Sequence, residues 1–199
     1  TEIYLKRAVV GGVDRVFEMN RNFRNEGMDS SHSPEFTSLE AYEAYSDYNG
    51  MADLTRDLIQ QAARDAFDLP EGGEVVRLAD GTEYDLSGQW DRIDLYGSTS
   101  EALGEEVTVE TPRETLVKHA ERIGLEVDDY AVSGKIVEDI FEELVASKLW
   151  APTFVYDFPE DTSPLTRYHR SRPGLTEKWD LYVRGFETAT AYSELADPV

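Results

Sequence analysis

The sequence predicts an α+β fold, and three observations predict it. Stretches alternating with period two lie near both ends of the chain, at 15–24, 35–45, 153–157 and 179–195. Between them, 51–67 and 112–149 repeat their apolar residues at helical spacing. The order is therefore sheet, helices, sheet, not a regular βαβ alternation. With 199 residues, 40% of them apolar and 11% aromatic, the chain has the material for a core, which excludes global disorder.

Taken in order, residues 4–10 read as a short helix stopped by Gly11-Gly12. In 15–24, Phe17, Met19 and Phe23 share one face of a strand; Glu18, Asn20, Asn22 and Arg24 share the other. Asn25 to Pro34 is a Gly/Asp/Ser loop, and 35–45 returns as the second strand of an antiparallel hairpin. Met51, Leu54, Leu58, Ala62 and Ala66 mark an amphipathic helix over 51–67, ended by Glu71-Gly72-Gly73. Asp80-Gly81 joins the short strands Val75–Leu78 and Glu83–Leu86. Arg92–Tyr96 reads as a further strand. Residues 98–150 form a helical insertion, with one helix from Pro112 to Gly124 and a second that Ser133 is expected to cap. Between 101 and 143 it carries thirteen Asp/Glu against four Lys/Arg, the mark of a solvated face. Strand 153–157, a loop from Pro159 to Gly174 with basic residues at 167, 169, 170 and 172, and a strand pair around Gly185 complete the chain. The expected segments are thus 1–97, 98–150 and 151–199.

Charge and composition narrow the chemistry. The net charge of −22 disfavours a free-standing binder of nucleic acid or anionic membrane. Without cysteine there are no disulfides, thiolate nucleophiles or Cys-zinc sites. No apolar run reaches the ~18 residues of a membrane helix, and nothing at the start resembles a signal peptide, so a cytoplasmic location is expected. There is no Walker lysine loop, no G-x-G-x-x-G and no G-x-S-x-G.

Several residues could do chemistry. Phe36, Ser38, Glu40 and Tyr42 share a strand face, as do Thr190, Tyr192 and Glu194. Two faces that each pair a Tyr with a Glu suit an ammonium ion, if they line one cavity; otherwise each is a solvated face. Arg24, beside a loop holding His32, could clamp a phosphate or belong to a surface charge cluster. Asp180 and Glu187, on neighbouring strands, could hold Mg²⁺ together with substrate phosphates, or form an exposed acidic hairpin. His32, His119 and His169 are too scattered for a zinc motif.

Phe23-Arg24-Asn25-Glu26-Gly27, His32-Ser33-Pro34-Glu35-Phe36-Thr37 and Leu39-Glu40-Ala41-Tyr42 resemble motif 2 of the class II lysyl-tRNA synthetases. Tyr4-Leu5-Lys6-Arg7, Ala151-Pro152-Thr153-Phe154-Val155, Ser163-Pro164-Leu165 and Tyr192-Ser193-Glu194-Leu195 resemble flanking family segments, so the likeness runs along the whole chain. The resemblance implies the family's antiparallel sheet with flanking helices and a helical insertion. It implies ATP, L-lysine and tRNA(Lys) as substrates, with Mg²⁺ as cofactor. Arg24 would contact the α-phosphate and the lysine carboxylate, Glu26 the adenine amino group and His32 the outer phosphates, while Phe36 would stack on adenine. Glu2 would take the α-amino group. Glu40, Tyr42 and Glu194 would bind the ε-ammonium and Tyr192 would wall the pocket. Asp180 and Glu187 would carry Mg²⁺, with Glu187 also on the ATP side.

Three positions depart from the family pattern. Thr190 stands where Asn usually contacts the substrate carboxylate, Asp180 where Glu is usual, and Ala196 where Asn is common. The Ala-Thr-Ala-Tyr-Ser-Glu-Leu run resembles the synthetase domain of bifunctional proteins that supply lysine to phosphatidylglycerol. The family's motif 1, which builds a homodimer, is expected before Thr1, and motif 3 after Val199. The expectation is a catalytic-core fragment that is inactive alone, from a lysine–tRNA ligase. The alternatives are a lysine-activating domain serving lipid lysylation and a non-catalytic lysine-binding or interaction module.

Overall fold

The computed structural model describes residues 2–25, 27–28 and 32–196, and the chain forms two units, Thr1–Ser46 and Asp47–Val199. In the first, helix α1 (Glu2–Val10) ends where Gly12 adopts φ 99°, a left-handed conformation that glycine takes without steric cost. Strands β1 (Arg15–Phe23) and β2 (Glu35–Glu43) then pair antiparallel, from Arg15 opposite Glu43 to Phe23 opposite Glu35. The second strand stops short of the expected residue 45, because Tyr45 turns left-handed at φ 62°. Ion pairs Arg15–Glu43 (2.6 Å) and Arg21–Glu35 (3.2 Å) pin the ribbon near its two ends. The face of Glu18, Asn20, Asn22, Phe36, Ser38, Glu40 and Tyr42 is half-buried. The opposite face leaves Phe17, Met19, Phe23 and Leu39 exposed.

The second unit begins with helix α2 (Tyr48–Phe67), which starts three residues before its apolar repeat. The cause is Asp47, whose carboxylate accepts the N–H groups of Asn49 and Gly50 at 3.0 Å. The helix ends at Asp68, left-handed at φ 53°, and not at Gly72-Gly73 as its glycines suggest. Pro70 cannot continue it. The hairpin of β3 (Val75–Arg77) and β4 (Glu83–Asp85) turns at Asp80-Gly81 as expected.

Four strands, β5 (Asp91–Asp94), β6 (Thr153–Tyr156), β7 (Lys178–Val183) and β8 (Phe186–Tyr192), form the main sheet in that spatial order. The pairs β6–β7 and β7–β8 are antiparallel, but β5 and β6 are parallel. A parallel pair needs a long crossover, and here the helices between the two strands supply it. The expected strand 92–96 ends at Asp94, whose side chain accepts the Gly97 N–H at 2.7 Å and so caps helix α3 (Leu95–Leu103). Helices α4 (Arg113–Arg122) and α5 (Ser133–Leu144) follow. Ser133 is the first helical residue and not the cap. Asp161 accepts the Gly134 N–H at 3.1 Å instead, and a Cβ on Gly134 would fall 2.5 Å from Pro159.

The central strands β6 and β7 are buried on both faces. Tyr48 and Ala52 of α2 pack with Trp90, Phe154, Trp179 and Leu181 on one side. Phe141 of α5 packs with Leu95, Val155 and Tyr182 on the other. Leu116, Ala120, Ile136, Val137 and Ile140 make a separate core between α4 and α5. The loop from β6 to β7 is held ionically: Arg172 bridges Asp94 and Asp157, and Arg170 pairs with buried Glu177 at 2.9 Å. His119, on α4, is buried.

Candidate active site

In the first unit the candidate residues line one face of the β1–β2 ribbon. Period-two geometry carries the face of Glu18 and Asn22 on to Arg24. Arg24 donates its N–H to the Pro34 carbonyl at 3.0 Å, which closes the mouth of the hairpin loop. Its guanidinium lies 5.3 Å from the Phe36 ring centroid, a cation–π contact that orients the fork while leaving it exposed. His32 is exposed in the loop, and Glu26 lies outside the described residues.

Further along this face, Glu40 sits directly opposite Glu18, both half-buried, and accepts the Tyr42 hydroxyl at 3.4 Å. Like charges opposed across a ribbon repel, so this position favours a cation. Lys6 of α1 shows the same preference. Its ammonium lies 5.8 Å from the Tyr42 ring centroid and 2.7 Å from Glu2. Glu2 itself is exposed in the first turn of α1.

In the second unit, cross-strand register aligns Lys178 with Tyr192, Asp180 with Thr190, and Tyr182 with Glu187 across a bulge. Opposed residues of antiparallel strands point to one face, and Glu194 continues it by period two. Asp180 is 4% exposed, so its carboxylate belongs to the interior and not to a solvated hairpin. One oxygen accepts the Lys178 ammonium at 3.0 Å; the other, Oδ1, is buried and has no hydrogen-bond partner among the described residues. Glu187 stands at the surface, but partial loss of solvent and the charge of Asp180 push its carboxyl up to about 6. Glu138 of α5 is likewise raised by burial, which the Thr162 hydroxyl and Lys178 partly offset. The Tyr182 hydroxyl, donating to Glu142, is held well above its ordinary value, chiefly by burial. Thr190 is exposed and gives its hydroxyl to the Trp179 carbonyl at 3.3 Å; Tyr192 is half-buried and Glu194 exposed.

The structure thus joins Arg24 with Phe36 and Glu40 with Tyr42, and places Glu187 within the electrostatic reach of Asp180. Sequence reasoning missed Glu18 as the opponent of Glu40, and Lys178, Glu138 and Glu142 around Asp180. Lys178 was within reach, being two residues from Asp180 on the same strand face. The two glutamates were not, since helix-on-sheet packing leaves no local signal. Among the described residues, no group of three or more His, Asp or Glu could hold a metal ion alone. Asp180 and Glu187 are the carboxylates that could hold Mg²⁺ together with substrate phosphates, since that ion is commonly bound by one or two carboxylates plus phosphates and Asp180 Oδ1 is a hard oxygen acceptor. Among the described residues no helix is long and apolar enough to cross a membrane.

A family model described as tRNA synthetases class II (D, K and N) matches residues 1–199. A protein of Kineococcus radiotolerans called lysine–tRNA ligase is 59% identical over 199 residues, covering 100% of this chain and 39% of its own length. One of the same name from Mycolicibacterium gilvum is 59% identical over 200 residues, again covering 100% and 39%. The lysylphosphatidylglycerol biosynthesis bifunctional protein LysX of Gordonia bronchialis is 49% identical over 201 residues, covering 100% of this chain and 17% of its own. The chain therefore spans about two-fifths of the length of the ligase relatives.

Proposed function

The chain belongs to the class II tRNA synthetases of the D, K and N group, and from that premise we propose that it is catalytic-core sequence of a lysine–tRNA ligase. The observation that carries the assignment to lysine is the ribbon face on which Glu40 opposes Glu18 beside the Tyr42 ring, a setting for an ammonium ion. In this reading the protein joins lysine to ATP as lysyl-adenylate and then transfers lysine to tRNA(Lys). The lysine carboxylate attacks the α-phosphorus in line, pyrophosphate leaves, and no protein nucleophile is needed. Arg24 spans the α-phosphate and the lysine carboxylate and stabilises the charge that develops between them. Phe36, Glu26 and His32 hold adenine and the outer phosphates. On the ribbon, Glu40 and Tyr42 receive the ε-ammonium and Glu2 the α-amino group; Tyr192 and Glu194 of the second unit are assigned to the ε-ammonium by the family resemblance. An analogue without the ammonium would leave carboxylates unpaired, which is the basis of selection.

Mg²⁺ held by Asp180 and Glu187 would offset phosphate charge. Residues 1–97 serve as the motif 2 region, 98–150 as a helical insertion and 151–199 as late strands of the catalytic domain. The protein is proposed to work in the cytoplasm as a homodimer. Arg24→Ala and Glu40→Gln in the full-length protein should each abolish lysine-dependent pyrophosphate–ATP exchange. Exchange retained by both variants would overturn these assignments.

A second reading is favoured by the LysX relative: the lysine activated here is passed on to a lipid. Charging of tRNA by the purified full-length protein, measured beside lysine transfer to phosphatidylglycerol vesicles, separates the two.

A further inference from the structure

Lys178 has no place in the proposed reaction, yet it sits at the most acidic part of the buried face. Its ammonium lies 3.0 Å from Asp180 Oδ2 and 3.9 Å above the centroid of the Phe158 ring, so it is fixed from two sides. Its side chain is 23% exposed and that of Asp180 only 6%. Asp180, Glu187 and Glu138 feel one another's charge, and Lys178 offsets it at Glu138 and Glu187. Asp180 Oδ1 is buried and has no hydrogen-bond partner among the described residues.

We propose that Lys178 is a built-in counter-ion that keeps the Asp180–Glu187 pair from taking up a free divalent cation, so that the metal enters bound to nucleotide phosphates. This rests on the synthetase reading for the nucleotide, but the counter-ion role is a property of the site itself. A free dication meets two unfavourable conditions. Among the described residues no group of three or more His, Asp or Glu could hold a metal ion, and a fixed ammonium already engages one oxygen of the more buried ligand. A polyphosphate removes both, supplying extra oxygen ligands and negative charge of its own. The Lys178 ammonium then remains as the charge partner of Asp180, and no proton or bond need change.

The test uses Mn²⁺ as the probe, followed by loss of its free-ion electron paramagnetic resonance signal, in the full-length protein with and without ATP. The unaltered protein should take up Mn²⁺ weakly without ATP and well with it. Lys178→Met should bind Mn²⁺ without ATP about tenfold tighter or more. Lys178→Arg, which keeps the charge, should behave like the parent, and adding Asp180→Asn to Lys178→Met should remove the gain. Lys178→Gln, which keeps a donor to Asp180 but not the charge, replaces Lys178→Met should the latter lose its near-ultraviolet circular dichroism. Tight Mn²⁺ uptake by the unaltered protein without ATP overturns the proposal, and so does an unchanged affinity in the neutral variants. Pyrophosphate exchange on the same samples keeps the two readings apart. A tightened Mn²⁺ affinity in a protein without exchange supports the counter-ion and sinks the ligase; active protein with unchanged affinity does the reverse.

Discussion

The two units place their acidic residues in opposite settings. In the ribbon of residues 15–43, Glu18 and Glu40 face each other half in water, and the strands are tied by exposed Arg–Glu pairs. Leu5 is the one buried apolar residue among the described residues of that unit. In the second unit Asp180 sits inside a sheet packed on both faces, with an internal lysine as its counter-charge. The difference teaches where each region's free energy lies. The ribbon rests on backbone pairing and solvent-screened charge, worth little per pair. The sheet rests on apolar burial, which must also carry the cost of the polar groups it encloses.

The largest expected effect follows directly. Trp179 is fully buried, its indole N–H donates to the Tyr48 carbonyl at 2.6 Å, and its ring meets Phe154 at 4.8 Å. Trp179→Ala should cost about 3–5 kcal/mol, read from urea unfolding followed by circular dichroism. A loss under about 1 kcal/mol would break the contrast, since the sheet would not then depend on the core that α2 covers.

The same contrast explains what the sequence disclosed. Both ribbon strands and their polar face were legible because alternation of Phe17, Met19 and Phe23 with Glu18, Asn20 and Asn22 is a local signal. So was the Asp80-Gly81 turn. Helix α3 was not, because after Leu95 the run Tyr96-Gly97-Ser98-Thr99 is poor in helix formers, and the helix owes its start to the Asp94 cap and to burial of Leu95 and Thr99. The parallel β5–β6 pair was hidden as well, since its partners lie on either side of the helical segment. At the site, the resemblance supplied individual residues, but only three-dimensional register could set Glu18 against Glu40 or α5 beside Asp180.

A smaller effect should appear in the pH dependence. Glu187 has its carboxyl raised from 4.5 to about 6 by partial loss of solvent and by the charge of Asp180. The folded state therefore holds this proton more tightly than the unfolded chain. Its contribution is fully present below about pH 4.5 and is lost as pH rises through 6. Glu187→Gln removes the charged form and with it that loss. The variant's melting temperature should gain on the parent between pH 4.5 and 6.5 and hold a constant lead above. A difference that stays flat across that window would show that neither loss of solvent nor the charge of Asp180 raises the Glu187 carboxyl.

The smallest effect belongs to the ribbon's outer face. Phe17 is 72% exposed and points away from the face of Glu18 and Glu40. Truncating an exposed side chain removes little buried area, so Phe17→Ser should change stability by no more than about 0.5 kcal/mol. Measured beside Trp179→Ala by the same urea titration, the pair gives the contrast between the units as a ratio. A cost above about 2 kcal/mol for Phe17→Ser would mean that the face of Phe17, Met19 and Phe23 is covered in solution, and repeating the titration at several protein concentrations would tell whether a second chain covers it.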